Sequence, residues 1–280
     1  TFRQNNLKDS LGITPVFGCS GVNKQQFLEY TEKKKSTYRE WGEDWTNECS
    51  EHVKDLKTPY LDEEFSLAKQ NQHIPSNTHN FNGTWSSISE AGEATNLNLI
   101  YLKGYDTTNV LDLTTAEMEG RAQTLHAIEA LKRNIPGFQQ AKLRTFGMTI
   151  GIRDTRKIIG RYNLTENDVK NQATFEDSIG IFPEFIDGYN VLTLPVTGRY
   201  FQVPYGCLVP LEIDNLLVAG RCCAGDNISH AAMRNMMACT VTGQGAGVAA
   251  AVSILQDTTT SQVNISNVQQ KLLEQGVRIK

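Results

Sequence analysis

The chain has 280 residues, enough for one large domain or two modest ones. Its net charge of −4 gives no electrostatic footprint for nucleic acid. With 39% hydrophobic residues it has the composition of a soluble globular protein, and no apolar run is expected to reach the roughly 18 residues that span a bilayer. Six cysteines, at 19, 49, 207, 222, 223 and 239, form no CxxC pair and no zinc spacing. Cys222 and Cys223 are adjacent, so they are either a redox pair or small buried residues; neighbouring cysteines rarely bond each other without strain. The chain opens on Thr1 with no leader-like stretch, as a processed or trimmed product would. Asn-x-Ser/Thr sites at Asn82, Asn163, Asn227 and Asn264 are about as frequent as chance allows. The compartment stays open, with a lean towards a secreted or processed protein.

Thr14 to Cys19 is strand-like, and Lys24 to Tyr38 is predicted as a helix with Lys33, Lys34 and Lys35 on a solvated face. Trp41 and Trp45, four apart, are expected to anchor a short helix. From Leu56 to Ser89 the chain is polar and aperiodic; strands and turns are expected, with Asn82-Gly83 as a hairpin signal. Leu97 to Lys103 reads as a strand and Gly104 to Thr108 as a turn. A helix follows, capped by Thr114 or Thr115, with Glu117 and Glu119 in its first turn. It runs through Leu131 and ends at Asn134-Ile135-Pro136-Gly137. His126 on this helix is expected to be a half-buried packing residue.

Between Gly151 and Tyr162 three arginines, Arg153, Arg156 and Arg161, stand beside glycines on a strand-like segment. Guanidinium forks there suit an acidic substrate or a phosphate; internal salt bridges to Asp154, Glu166 or Asp168 are the competing expectation. Leu164-Thr165-Glu166-Asn167-Asp168 signals a helix start. Residues 182–210 read as strands broken by prolines. Leu216 to Gly220 reads as a short buried parallel strand closed by glycine. A loop carrying His230 and Arg234 leads to a long apolar helix, Met236 to Leu255, containing Gly243, Gly245 and Gly247. Each glycine costs about 1 kcal/mol against alanine in a helix interior, so packing or a ligand must offset them. Gly243, Gly247 and Ala251 fall at i, i+4, i+8 and are expected to form a smooth stripe against a neighbouring backbone or flat ligand. After a Thr258–Ser261 linker, a last helix is expected with Ser266 as N-cap and Gly276 as stop.

Four segments carry a resemblance. NLLVAGR, the histidine–arginine loop and TGQGAGVAAA resemble the C-terminal signature of FAD-dependent oxidoreductases of the two-dinucleotide-fold type. LTTAEMEGRAQTLHAIEALKRNIPGF resembles the helix preceding that family's glycine–arginine segment. Gly151-x-Arg153-x-x-Arg156-x-x-x-Gly160-x-Tyr162-x-Leu164-Thr165 resembles the GxRxxRxxxGxYxLT pattern. Val203-Pro204-Tyr205-Gly206-Cys207-Leu208-Val209-Pro210 resembles the IPYxxLVP run. Two departures stand out. Glu184 to Gly188 lacks the family's aspartate–histidine motif, which leaves that loop without a base. The GxGxxG unit that holds the ADP half of FAD is also missing, since Gly243 to Gly247 lies within a helix at the wrong spacing.

The resemblance implies an α/β chain: an α+β substrate or cap domain with a mixed sheet over 1–205, the returning strand–loop–helix of a Rossmann-like FAD domain over 206–256, and a C-terminal helix over 257–280. It implies an FAD-dependent oxidoreductase, or the C-terminal part of one, moving hydride or electrons between a small molecule and flavin. Gly220 and Arg221 are expected at the pyrophosphate and ribityl chain, with Met236, Met237, Cys239 and Gly243 on the flavin side, where a helix N-terminus suits an electron-rich edge. His230 is the candidate acid/base, Arg234 a candidate for an anionic substrate or the reduced flavin, and Arg153 and Arg156 candidate substrate anchors. The expected partner is an N-terminal FAD-binding half, either a separate chain or a missing segment; no nucleic acid, metal or membrane is expected. A cofactor-less binding or structural module derived from the same family is the alternative.

Overall fold

A computed structural model describes residues 2–5, 7, 10–33, 61–79, 81–84, 87–189, 191–193, 195 and 197–280. The elements are β1 (Phe2–Gln4), β2 (Phe17–Ser20), α1 (Lys24–Lys33), α2 (Asp62–Gln70), β3 (Phe81–Thr84), β4 (Ser87–Ile88), β5 (Ala94–Ile100), α3 (Val110–Asn134), β6 (Lys142–Phe146), β7 (Arg156–Ile158), α4 (Glu166–Lys170), β8 (Ser178–Pro183), β9 (Ile186–Gly188), β10 (Val191–Thr193), β11 (Tyr200–Pro204), α5 (Asn227–Met233), α6 (Met236–Leu255) and α7 (Ile265–Glu274). Helices are thus mixed with small sheets. Among the described residues every pairing between these strands is antiparallel, where a mixed sheet was expected; one isolated bridge, Leu164 with Gly225, is parallel. Two compact units divide the chain, 11–153 and 1–10 with 154–280.

In the unit of residues 11–153, β3, β5, β2 and β6 lie side by side and β4 pairs with β5. Phe17, Leu97, Leu99 and Ile100 from this sheet pack with Phe27, Leu131 and Phe138. Residues 62–70, expected as strand and turn, instead form α2 behind the N-cap Leu61. Leu61, Phe65 and Ala68 recur at helical spacing and are buried, so three apolar residues among charged ones outweigh the polar count. Asn82 and Gly83 lie inside β3 and not at a turn. The long helix α3 starts earlier than expected. Asn109 caps it by accepting from Leu111 N–H, while the Thr114 and Thr115 hydroxyls bond back to the carbonyls of Val110 and Leu111; a threonine that satisfies itself on the preceding turn is a helix-interior residue. His126 is half-buried. The expectations for Trp41, Trp45, Lys34, Lys35 and Cys49 fall outside the described residues.

In the other unit, β1 pairs with β7, β9 with β10, and β8 with β11. The helix start signalled at Leu164–Asp168 is that of α4, where Thr165 and Asp168 form a capping box. The expected loop around His230 is a short helix, α5, because Asp226 caps it by accepting from Ser229 N–H. The segment Leu216–Gly220 is not paired as a strand and is not buried; Leu216 is exposed. α6 has the bounds expected, and by length and composition it is apolar enough to cross a membrane, contrary to the expectation that no run would be. Its glycines divide into two kinds. An added Cβ at Gly245 would stand 2.5 Å from Ile179 Cδ1 of β8, whereas Gly243 and Gly247 face open space. The close contact of this helix is therefore at Gly245, and the Gly243–Gly247–Ala251 stripe is exposed. Finally, Asn264, and not Ser266, caps α7.

Candidate functional site

The first of two neighbouring arrangements in this unit is the corner where the chain enters α6. Residues 205–208 form a 3-10 turn, and Val218 N–H donates to the Leu208 carbonyl at 2.9 Å. A second 3-10 turn, Gly220–Cys222, follows, with Gly220 at φ 73°, a conformation that favours glycine. Its N–H donates to Thr242 Oγ1 at 2.9 Å, which fixes the turn to α6. Cys239 Sγ lies 3.8 Å from where a Cβ on Gly220 would stand. Arg221 is exposed, as are Met236 (85%), Met237 and Gly243. The N-cap of α6, Asn235, turns its amide back to the carbonyls of Ala231 and Ala232 and makes no cap bond. The first turn of a 20-residue helix thus presents N–H groups and the positive end of its dipole without a side-chain cap.

The second arrangement is a buried polar network. Asp154, on the approach to β7, accepts from Lys157 Nζ at 2.6 Å, Tyr189 Oη at 2.6 Å and Asn5 Nδ2 at 2.8 Å. Asn5 also donates to Asn227 Oδ1 at 2.9 Å. His230 Nε2 lies 3.7 Å from Asp154 Oδ1, with the Tyr189 ring edge-on to the imidazole. Lys157 is 1% and His230 3% exposed. Burial alone would raise the Asp154 carboxyl; hydrogen bonds from Lys157 and Tyr189, with the charges of Lys157 and His230, outweigh it and hold the group below its ordinary value. Burial and the bond to Asp154 push the Tyr189 hydroxyl up. Tyr189 reaches the network from the β9–β10 turn at φ 54°, a rare conformation for a bulky residue.

The remaining candidates are placed as follows. Arg234, at the end of α5, pairs with Asp187 Oδ2 at 2.8 Å and with the Asp187 carbonyl. Arg156 is exposed, lies over the Phe2 ring and donates to Gln4 Oε1 at 3.4 Å. Arg161 donates to the Ser261 carbonyl. In the unit of residues 11–153, Arg153 stacks over the Tyr101 ring. The acids weighed as arginine partners are engaged elsewhere: Asp154 with Lys157, Glu166 with Lys170, and Asp168 with Tyr162 and Thr165. Cys222 is exposed and Cys223 buried, so these neighbours do not share an environment.

Lys157, Asp154, Tyr189 and Asn5 were missed from the sequence. The available signal was Asp-x-x-Lys leading into the apolar Ile158-Ile159, a lysine placed where only a paired one is tolerated. Asp187 drew notice only for the histidine that does not follow it. No curated relative and no solved structure matches the chain. A family model described as FAD dependent oxidoreductase matches residues 2–272, nearly the whole chain, and the chain belongs to that family.

Proposed function

We propose that the chain supplies the substrate side and the flavin-facing strand–turn–helix of an oxidoreductase that passes hydride or electrons between a small molecule and FAD. The observation that carries this is the uncapped, exposed start of α6 beside the Gly220 turn. The residues fit the cofactor. Gly220 places no side chain at the turn, and Gly243 and Gly247 leave open space along the helix. When bound, FAD accepts the electrons at its flavin ring. In this proposal, 206–256 is the piece that returns to the FAD-binding domain. The Gly220 backbone and Arg221 hold the pyrophosphate and ribityl side, and the α6 N-terminus, from Met236 and Met237 to Cys239, faces the flavin edge.

His230 is proposed as the acid/base and Arg234 as the group for an anionic substrate, held meanwhile by Asp187. Arg153 and Arg156 are proposed as substrate anchors. His230 lies within the buried network, its Nε2 3.7 Å from Asp154 Oδ1. An N-terminal half with a GxGxxG cradle is the proposed partner, since the exposed Gly243–Gly247–Ala251 stripe and the exposed Ile254 and Leu255 lie on a helix of core-like composition.

Reconstitution tests this. The chain alone should bind FAD weakly, and with a GxGxxG half supplied in cis or as a partner it should become yellow and stoichiometric, read by flavin absorbance. Tight binding by the chain alone would mean that the cofactor lies elsewhere. No binding in either form would favour the cofactor-less module.

A further inference from the structure

We infer that the exposed face of α3 is where two copies of this chain meet, their helices antiparallel about a two-fold axis at Met118. α3 already buries one face in its own unit, through Ala116, Gly120, Thr124, Ala127 and Leu131. A surface helix normally carries charged and polar residues opposite such a face. Here Leu111 is 73%, Met118 69% and Leu125 57% exposed. They stand seven apart, with Thr115 and Ala122 exposed between them, so they form a second stripe with the spacing that paired helices use. Flavin binding plays no part in the inference, since none of these residues is among those proposed for cofactor or substrate.

The 146–150 segment widens the stripe. Ile150 N–H donates to Glu117 Oε2 at 2.7 Å and Arg121 lies over the Phe146 ring. These contacts hold the segment along α3 with Met148, between them, 96% exposed. With Val110, also exposed, the apolar side chains of this face present roughly 600 Å², the upper end of what a monomer leaves in one patch, and patches of that size are often functional. A standard interface takes about 800 Å² from each partner. This face with a polar rim is therefore large enough for a dimer, and for one that dissociates on dilution.

The spacing suits a second copy because it reads the same in both directions. Leu111 and Leu125 each lie seven residues from Met118. A helix turned end for end about Met118 sets Leu111 against Leu125 of the second copy and Met118 against its own counterpart, the self-complementary contact that a two-fold axis demands. The small side chains of Thr115 and Ala122 allow close approach. Thr115 Oγ1 is already bonded to the Leu111 carbonyl, so it brings no unpaired donor into the seam. Antiparallel helices also oppose their dipoles, whereas parallel ones put like ends together. Asp112 and His126, each next to one of the two leucines, then come opposite each other across the contact. Glu119, beside Met118, has its carboxylate engaged by His79 and Tyr105 of its own chain.

Sedimentation velocity on the full chain across micromolar concentrations tests this. A dimer should give way to monomer on dilution, and Met118→Lys should be monomeric throughout, with an unchanged melting temperature because the side chain is exposed. Cysteine cross-linking under mild oxidation, judged against the parent chain, tests the arrangement. Met118→Cys should give a covalent dimer that dithiothreitol reverses; Leu125→Cys alone should not, and Leu111→Cys with Leu125→Cys should. The inference is overturned if the parent chain is monomeric throughout, or if Met118→Lys still dimerises, which would move the contact to another face. It also fails if Leu125→Cys alone cross-links as readily as Met118→Cys, the mark of parallel helices. A monomeric Met118→Cys chain whose new thiol resists a maleimide would show that another segment of the same chain covers the face, and that too would overturn it.

Discussion

Residues 11–153 close around Phe17, Phe27, Phe81, Phe138 and a row of leucines, whereas 154–280 with the N-terminal strand close around Lys157, Asp154, His230 and two thiols as well as apolar residues. The first interior is held by transfer of apolar surface out of water. The second surrounds charges whose removal from water costs several kcal/mol each unless they are paired. A fold gains little stability from such a set, so its presence marks the interior where chemistry is to be sought. The segment proposed to face the flavin falls in the same unit.

Breaking the Asp154–Lys157 pair tests that contrast most severely. Asp154→Ala leaves Lys157 buried without its carboxylate and should destabilise by about 3–5 kcal/mol, read from urea midpoints. Asp154→Leu with Lys157→Met should recover most of that loss, because removing both charges also removes the desolvation cost. If single and double variants lose the same amount, the pair does not carry the charge balance assigned to it. The pH dependence has a fixed sign. A carboxyl held below its ordinary value contributes stability that is present above the usual carboxylate range, near pH 4, and is lost as pH falls through the lower folded value. Asp154→Asn should therefore flatten the acid limb of the stability profile.

How much of this was legible in the sequence follows from the range of the forces involved. The bounds of α6, the start of α4 and the proline-broken strands rest on neighbouring residues, and they were readable. The Asp154 network was not, because it joins Asn5, Asp154, Tyr189 and Asn227, which are remote along the chain and give no local pattern beyond a lysine in an apolar stretch. α2 was hidden by its charged face. The Leu216–Gly220 strand went wrong differently: its composition is that of a buried strand, and among the described residues it has no strand beside it.

The α6 glycines provide a second test, of intermediate size. Gly245→Leu should destabilise by about 1–3 kcal/mol through overpacking against Ile179. Gly247→Leu, facing open space, should be neutral or gain up to about 1 kcal/mol from helix propensity. The comparison is made on the chain alone by thermal melts. A reversed order would mean that the helix turns its other face to β8. With a GxGxxG half present, Gly247→Leu should become harmful to the association, which sharpens the distinction between a face that is packed and one that waits for a partner.

The smallest effects separate the units at their helix caps. Asn109 makes one cap bond, from Leu111 N–H at 2.9 Å, at the exposed start of α3. Asp226 accepts from Ser229 N–H at 2.8 Å with one oxygen and from Glu166 N–H at 2.7 Å with the other, so a single side chain caps α5 and ties it to the start of α4. Asn109→Ala should cost about 1 kcal/mol, the usual worth of a cap, and Asp226→Ala about 2 kcal/mol, the upper end of the range, because it strands two N–H groups. Thr114→Ala and Ser266→Ala, at the positions first expected to cap, should each stay within about 0.5 kcal/mol of the parent. The ordering is informative in either direction. If Asp226→Ala cost no more than Asn109→Ala, the α4–α5 tie would be slack, and His230, one turn along α5, would lose the framework that holds it beside Asp154.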